Sequence, residues 1–293
     1  MNYQEQYNAY LVRAKRALEE ACRRYLPAES QVCQAARYSL MGGGKRVRAV
    51  LVLSVCDMLG GDATAAEHFA AAVEMLHCYS LIHDDLPCMD NDDLRRGRPS
   101  CHKAFGEATA LLAGDVLLTE AFEAVAQAPA SPEVCVQAVK ALSSGAGSCG
   151  MVYGQELDLK YEVLDTTESQ LLQIHRNKTG ALINAAVQMG AAAAGANQAQ
   201  REALEQYAYG LGLVFQIVDD VLDATATTEQ LGKPAGSDQA NGKTTFVTLY
   251  GPDGAMTLAQ QVNQDTCEAV HTAFGDQSAF LEQLASAMLE RHS

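Results

Sequence analysis

The chain is most informative first through what it lacks. It has no apolar run long enough to span a bilayer, which argues against an integral membrane protein. Its start, Met-Asn-Tyr-Gln-Glu-Gln-Tyr, has no basic segment followed by an apolar one, so a soluble, unexported, cytoplasmic protein is expected. β-Branched alternating stretches are scarce, which removes the usual signal for half-buried strands. Positive charge is in short supply, with 21 Lys and Arg against 36 Asp and Glu and a net charge of −15. Binding a polyanion requires a basic face, so nucleic acid is excluded as a partner, while a small anion remains open wherever cations are locally concentrated. The nine cysteines are odd in number and lack the close pairs of zinc sites. They read as reduced core thiols rather than a disulfide framework.

What is present is helical. Apolar residues recur at helical spacing nearly throughout and alanine is abundant, so the fold class read here is all-α, with 293 residues enough for one large domain, 1–293. Helices are expected over 2–25, 29–41, 46–59, 64–85, 104–127 and 131–150. A further helix starts with Thr166 or Thr167 as its cap, bends at Thr179-Gly180 and ends near Gly190 to Gly195. Residues 254–292 read as two more helices without chemistry. Gly42-Gly43-Gly44 stops the second helix and lets backbone approach a ligand, and Lys45, Arg46 and Arg48 open the third, where backbone amides favour anions.

Two acidic motifs carry the chemistry. The first places Asp84, Asp85, Asp90, Asp92 and Asp93 within ten residues, followed at once by Arg95, Arg96 and Arg98. Five like charges at a helix C-terminus are unfavourable unless a cation or the arginines screen them. The pattern fits either a surface loop whose arginines pair with its own aspartates, or hard oxygen ligands holding Mg²⁺ against a phosphate ester. His77 is seven residues before Asp84 on the same face of the helix. The second motif is Phe215-Gln216-Ile217-Val218-Asp219-Asp220-Val221-Leu222-Asp223, where Gln216, Asp219 and Asp223 share one face of an otherwise apolar helix. Ionised carboxylates in a core cost several kcal/mol each unless compensated, and a metal compensates them. Gln155 and Asp158 suit either a surface pair or a polar cavity wall. Lys233 and Lys243 lie in a glycine-rich stretch suited to closing over phosphates.

The ordered set Gly43-Gly44-Lys45-Arg46-Val47-Arg48, His83-Asp84-Asp85-Leu86-Pro87-Cys88-Met89-Asp90, Arg95-Arg96-Gly97, Gly154-Gln155, Lys178-Thr179, Asp219-Asp220-Val221-Leu222-Asp223 and Gly242-Lys243-Thr244-Thr245 resembles the trans-isoprenyl diphosphate synthases. The resemblance spans nearly the whole chain. The four residues between Asp85 and Asp90 give the longer first motif, similar to bacterial farnesyl diphosphate synthases, with Cys88 where serine is common.

That resemblance implies an all-α isoprenoid-synthase bundle around a deep central cavity, usually homodimeric, that condenses isopentenyl diphosphate head-to-tail with an allylic diphosphate. It implies three Mg²⁺ ions on Asp84, Asp90 and Asp219, with Asp85, Asp220 and Asp223 in support. Arg95, Lys178, Lys233 and Lys243 are placed on allylic or closing phosphates. Gly44, Lys45, Arg48, His77 and Arg96 are placed on isopentenyl diphosphate. The Lys178 carbonyl, Thr179 and Gln216 would face the allylic cation. Tyr79 lies five residues before Asp84, about 7.5 Å along the axis, a depth suited to a C10 to C15 chain, and Ser80 leaves space beside it. Farnesyl diphosphate is the expected product. Geranylgeranyl or other short-chain synthases, terpene cyclases and non-catalytic partner subunits are the rivals. The intact second aspartate motif and basic Gly-Gly-Lys-Arg-Val-Arg segment disfavour the last two.

Overall fold

The computed structural model describes residues 1–161, 166–225 and 243–291. They form helices α1 (Tyr3–Tyr25), α2 (Gln31–Leu40), α3 (Val47–Met58), α4 (Ala63–Asp84), α5 (Cys101–Phe105), α6 (Glu107–Ala126), α7 (Pro132–Ala146), α8 (Met151–Tyr161) and α9 (Glu168–His175). After a π-helical turn at Arg176–Gly180 come α10 (Ala181–Ala193), α11 (Gln198–Thr225), α12 (Phe246–Phe274) and α13 (Ala279–Leu289). No helix among the described residues is long and apolar enough to cross a membrane.

Local chemistry explains most helix starts. Asn2 and Glu5 form a reciprocal capping box on α1, Asp62 accepts the Thr64 amide at 2.8 Å, and Thr167 and Thr245 cap α9 and α12 in the same reciprocal way. Three features depart from the sequence reading. The helix expected over 104–127 is broken at Gly106, whose φ of 87° no helix accepts, so α5 and α6 are separate. The stretch after the first acidic motif forms a short hairpin, pairing Leu94 with Pro99 and Arg95 with Arg98. Its two turn residues, Arg96 and Gly97, both have positive φ (54° and 72°), as a tight hairpin of this handedness requires. The final pair of helices begins earlier than expected, at Phe246, and α12 is broken at Gly251 (φ 70°) before Pro252.

The chain divides into two compact units, Met1–Lys140 with Met189–Gly195, and Ala141–Gln188 with Ala196–Ser293. In the first, α4 packs against α3 and α6, burying Phe69, Leu76, Leu53 and Leu117. Each such side chain contributes about 1.5–3 kcal/mol of burial free energy, and α4 is therefore held rigidly up to its acidic end. In the second, α11 packs against α12 and α13, with Val214, Ile217, Val218 and Phe246 at the centre.

Candidate active site

The first unit builds a basic cradle around an acidic helix end. The Asp90 amide donates to the Asp84 carbonyl at 2.9 Å and the Asn91 amide to the Leu86 carbonyl at 3.1 Å, curling the loop back over the end of α4. Asp85 is 2% exposed, and Arg95 grips it through both Nε (2.9 Å) and Nη2 while also reaching Asp92 at 3.4 Å. Burial pushes the Asp85 carboxyl upward in pKa despite those bonds. Asp93, which had no role from sequence, pairs with Lys103 at 2.8 Å. The loop is thus partly screened by its own cations, as the surface-loop alternative foresaw for Arg95.

Arg96 turns the other way. Its Nη1 donates to the Gly43 carbonyl, and a Cβ placed on Gly44 would meet the Arg96 guanidinium carbon at 2.7 Å. Gly43 and Gly44 have φ of 95° and 110°, a backbone conformation that calls for glycine at both positions. Behind them Arg46 donates to Glu74 at 3.1 Å, and the same carboxylate accepts the Ala49 amide at 3.2 Å. Glu74 was not picked out from sequence, where it looked like one more polar residue on α4.

Two groups of this cradle stand out because their polar atoms are buried without a hydrogen-bond partner: Arg48 Nε and His77 Nδ1. Burial brings the Arg48 guanidinium down to about 10. Burial, with Arg48, Arg96, Arg46 and Arg95 around it, holds His77 neutral well below the usual histidine range. A desolvated guanidinium inside a set of like charges favours an anion. Lys45 carries a different contact, its carbonyl accepting from the Tyr7 hydroxyl at 2.6 Å. Tyr79 is 8% exposed and meets His83 edge-on at 5.6 Å, and Ser80 turns its hydroxyl onto the His77 carbonyl at 2.8 Å.

The second unit builds a polar cavity from α8, the π-helical turn and α11. The turn lies where the Thr-Gly step predicts a bend. It presents Lys178 to Asp158 at 2.6 Å and the Thr179 hydroxyl to Gln216 Oε1 at 2.7 Å. Gly154 permits the arrangement, since a Cβ there would stand 2.0 Å from the Lys178 backbone nitrogen. Lys243 reaches the same Asp158 at 4.0 Å. Burial alone would push that carboxyl up, but Lys178 and Lys243 outweigh it and hold it below its ordinary value. His175 stacks on Phe246 at 5.5 Å, and burial depresses it to about 4. Asp158, His175, Lys178, Thr179, Gln216, Asp219 and Lys243 line a cavity of about 290 Å³. Asp158 therefore belongs to a cavity wall. Lys233 lies outside the described residues.

The three aspartates of α11 are not equivalent. Asp220 is buried and accepts the Phe246 amide at 2.9 Å, helping to start α12. Asp223 is buried as well. Asp219 has a side chain 43% exposed and bonds Arg291 at 2.5 Å. Arg291 was missed by sequence reasoning, since nothing in its neighbourhood marks it.

The donor set is compatible with Mg²⁺. Among the described residues no three His, Cys, Asp or Glu side chains form a ready cage. Mg²⁺ does not need one, because it keeps several waters and is held by one or two carboxylates plus substrate phosphates. Asp219 offers a hard oxygen donor on a cavity wall, and the loop at the end of α4 offers Asp84 and Asp90.

Comparison with known proteins agrees with this chemistry. The profile of the polyprenyl synthetase family matches residues 29–283. Farnesyl diphosphate synthase of Micrococcus luteus is 45% identical over 254 residues, covering 87% of each chain. Geranylgeranyl pyrophosphate synthase 11 of Arabidopsis thaliana is 41% identical over 295 residues, covering 98% of this chain and 83% of the relative. The structure of geranyltransferase from Helicobacter pylori, complexed with magnesium and isoprenyl diphosphate, superposes with a TM-score of 0.85 at 33% identity over 97% of this chain and 96% of that one. Basic cradle, hard carboxylate donors and helical architecture thus coincide with similarity over most of the length, and the chain belongs to the polyprenyl synthetase family, as a Mg²⁺-using prenyltransferase of the trans-prenyl diphosphate synthase kind.

Proposed function

We propose that this prenyltransferase condenses isopentenyl diphosphate with dimethylallyl or geranyl diphosphate and stops at the C15 product, farnesyl diphosphate. The observation that carries the reading is Tyr79, a bulky, nearly buried side chain on rigid α4, five residues before the first aspartate. Relatives bearing farnesyl and geranylgeranyl names are similar to the chain at 45% and 41% identity, so a C20 product is the second reading.

In this reading the basic cradle of Gly44, Lys45, Arg48, His77 and Arg96 takes isopentenyl diphosphate; its support is the buried, partnerless Arg48 Nε and His77 Nδ1. Lys178, Lys233, Lys243 and Arg95 take the allylic diphosphate. Asp158 holds the Lys178 ammonium in place, and Arg95 must exchange part of its hold on Asp85 for phosphate oxygens. Asp84, Asp90 and Asp219 would hold three Mg²⁺ ions, which would supply positive charge to neutralise a departing diphosphate. The Thr179 hydroxyl, the amide oxygen of Gln216 and the Lys178 carbonyl present dipoles to an allylic cation without trapping it covalently. Burial and the surrounding arginines hold the proton affinity of His77 well below that of an ordinary histidine, which makes it a poor base for the final proton, and the released diphosphate is the acceptor. The whole of 1–293 acts as one polyprenyl synthase domain, in a homodimer that light scattering would reveal by its doubled mass.

The test is chromatography of products formed by the purified protein with Mg²⁺, isopentenyl diphosphate and geranyl diphosphate. A C15 product from the wild type that lengthens to C20 or beyond in Tyr79→Ala supports the reading. A C20 wild-type product, or a Tyr79→Ala variant still stopping at C15, removes Tyr79 as the floor.

A further inference from the structure

The end of the chain reaches the second acidic motif. Arg291, just beyond α13, donates from Nη2 to the Phe215 carbonyl at 2.7 Å and to Asp219 Oδ1 at 2.5 Å. Its guanidinium carbon lies 4.0 Å from the centre of the Phe215 ring. The side chain is only 8% exposed, and its Nε is buried without a hydrogen-bond partner. An arginine that merely decorates a surface keeps its head group in water. This one has given up most of its hydration and is fixed on three sides, by a carbonyl, an aromatic face and a carboxylate. The carboxylate it meets belongs to the most exposed aspartate of the motif.

We propose that Arg291 is a positioning residue for the second acidic motif: it is the built-in counter-cation of Asp219 in the free enzyme, and it makes divalent-cation loading at Asp219 depend on bound diphosphate. The proposal rests on the reading of Asp219 as a Mg²⁺ ligand. A fixed positive charge on one carboxylate oxygen opposes a second cation on the same group. Negative charge from a diphosphate offsets that opposition. Arg291 thereby keeps Asp219 ordered while the site is without metal, and it disfavours cation binding until the substrate supplies its own charge.

Inorganic diphosphate is the probe, and the readout is the Mg²⁺ concentration at half-maximal rise in melting temperature. Arg291→Met, which keeps an apolar stem over Phe215, is expected to lower that midpoint roughly two- to fivefold without diphosphate, the upper part of the range for one partly exposed charge pair. The change should be small with saturating diphosphate, and Arg291→Lys should behave as the wild type. Deleting residues 291–293 removes the same charge by another route and should reproduce the shift if the methionine variant folds poorly. A merely structural role for Arg291 would weaken Mg²⁺ binding on its loss. A midpoint unchanged or raised in both variants therefore overturns the proposal. Asp219→Asn separates the two layers. If it leaves the Mg²⁺ midpoint where it was, the ligand reading of Asp219 fails. If it raises the midpoint while the Arg291 variants match the wild type, the ligand reading stands and the role of Arg291 falls.

Discussion

The two acidic motifs solve one electrostatic problem in opposite ways. The first sits in a loop at a helix end, and its counter-cations come from next door: Arg95 is ten residues from Asp85, and Lys103 is ten from Asp93. The second sits inside a packed helix, and its partners come from far along the chain: Arg291 is 72 residues from Asp219, and the Phe246 amide is 26 from Asp220. A loop can rearrange its own cations when a ligand arrives, because each exchange is local and partly solvated. A buried helix cannot, so its partners must be supplied by other elements and held in place by packing. In the proposed function the first motif is therefore the one whose own cations can rearrange, and the second is a preorganised one.

The largest expected effect tests whether both motifs work on the same charge. On the proposed assignment of Asp84 and Asp219 as Mg²⁺ ligands, Asp84→Ala and Asp219→Ala should each lower kcat by about three orders of magnitude, because each would remove a hard oxygen donor from the departing diphosphate. Steady-state assays with saturating Mg²⁺ measure this. Near-normal turnover in either variant would break the assignment for that motif.

The next effect concerns rigidity. Gly154 and Gly114 both stand where a methyl would collide, the one 2.0 Å from the Lys178 backbone nitrogen, the other 2.1 Å from the His83 imidazole. Backbone in a π-turn has nowhere to go, while an imidazole can swing aside. Gly154→Ala should therefore cost about 3 kcal/mol in urea unfolding and Gly114→Ala about 1 kcal/mol, the upper and lower ends of the overpacking range. Equal costs would mean that the second site is no more rigid than the first.

What could be read from the chain follows the same division. Helices, the Thr167 cap, the bend at Thr179-Gly180 and both aspartate clusters were legible, because each rests on short-range periodicity or on residue types with local preferences. The tight hairpin at Arg96-Gly97 was not, since arginine with positive φ has no sequence signal and the strands are two residues long. The pairs Arg46–Glu74, Asp158–Lys178 and Asp219–Arg291 were not legible either. Ion pairs across 20 or more residues leave no periodic trace, and only the packing of helices brings them together.

The last effect compares two neutral histidines, one in each site. His77 is depressed by burial and by the arginines around it, so both causes act in the same direction. His175 is depressed to about 4 by burial, against the opposing pull of Asp158. An unfolded His175 takes up its proton as pH falls through its ordinary value of 6.5, whereas the folded one resists until about 4. Its contribution to stability is therefore complete above that ordinary value and is lost as pH falls below it. Between neutral pH and pH of about 5 the loss should be about 2 kcal/mol. Urea unfolding of the wild type and of His175→Gln over this range should show the wild type falling more steeply by that amount. Parallel curves would mean that the imidazole charges in place, and that the wall of the second cavity is wetter and less preorganised than the contrast with the first motif requires.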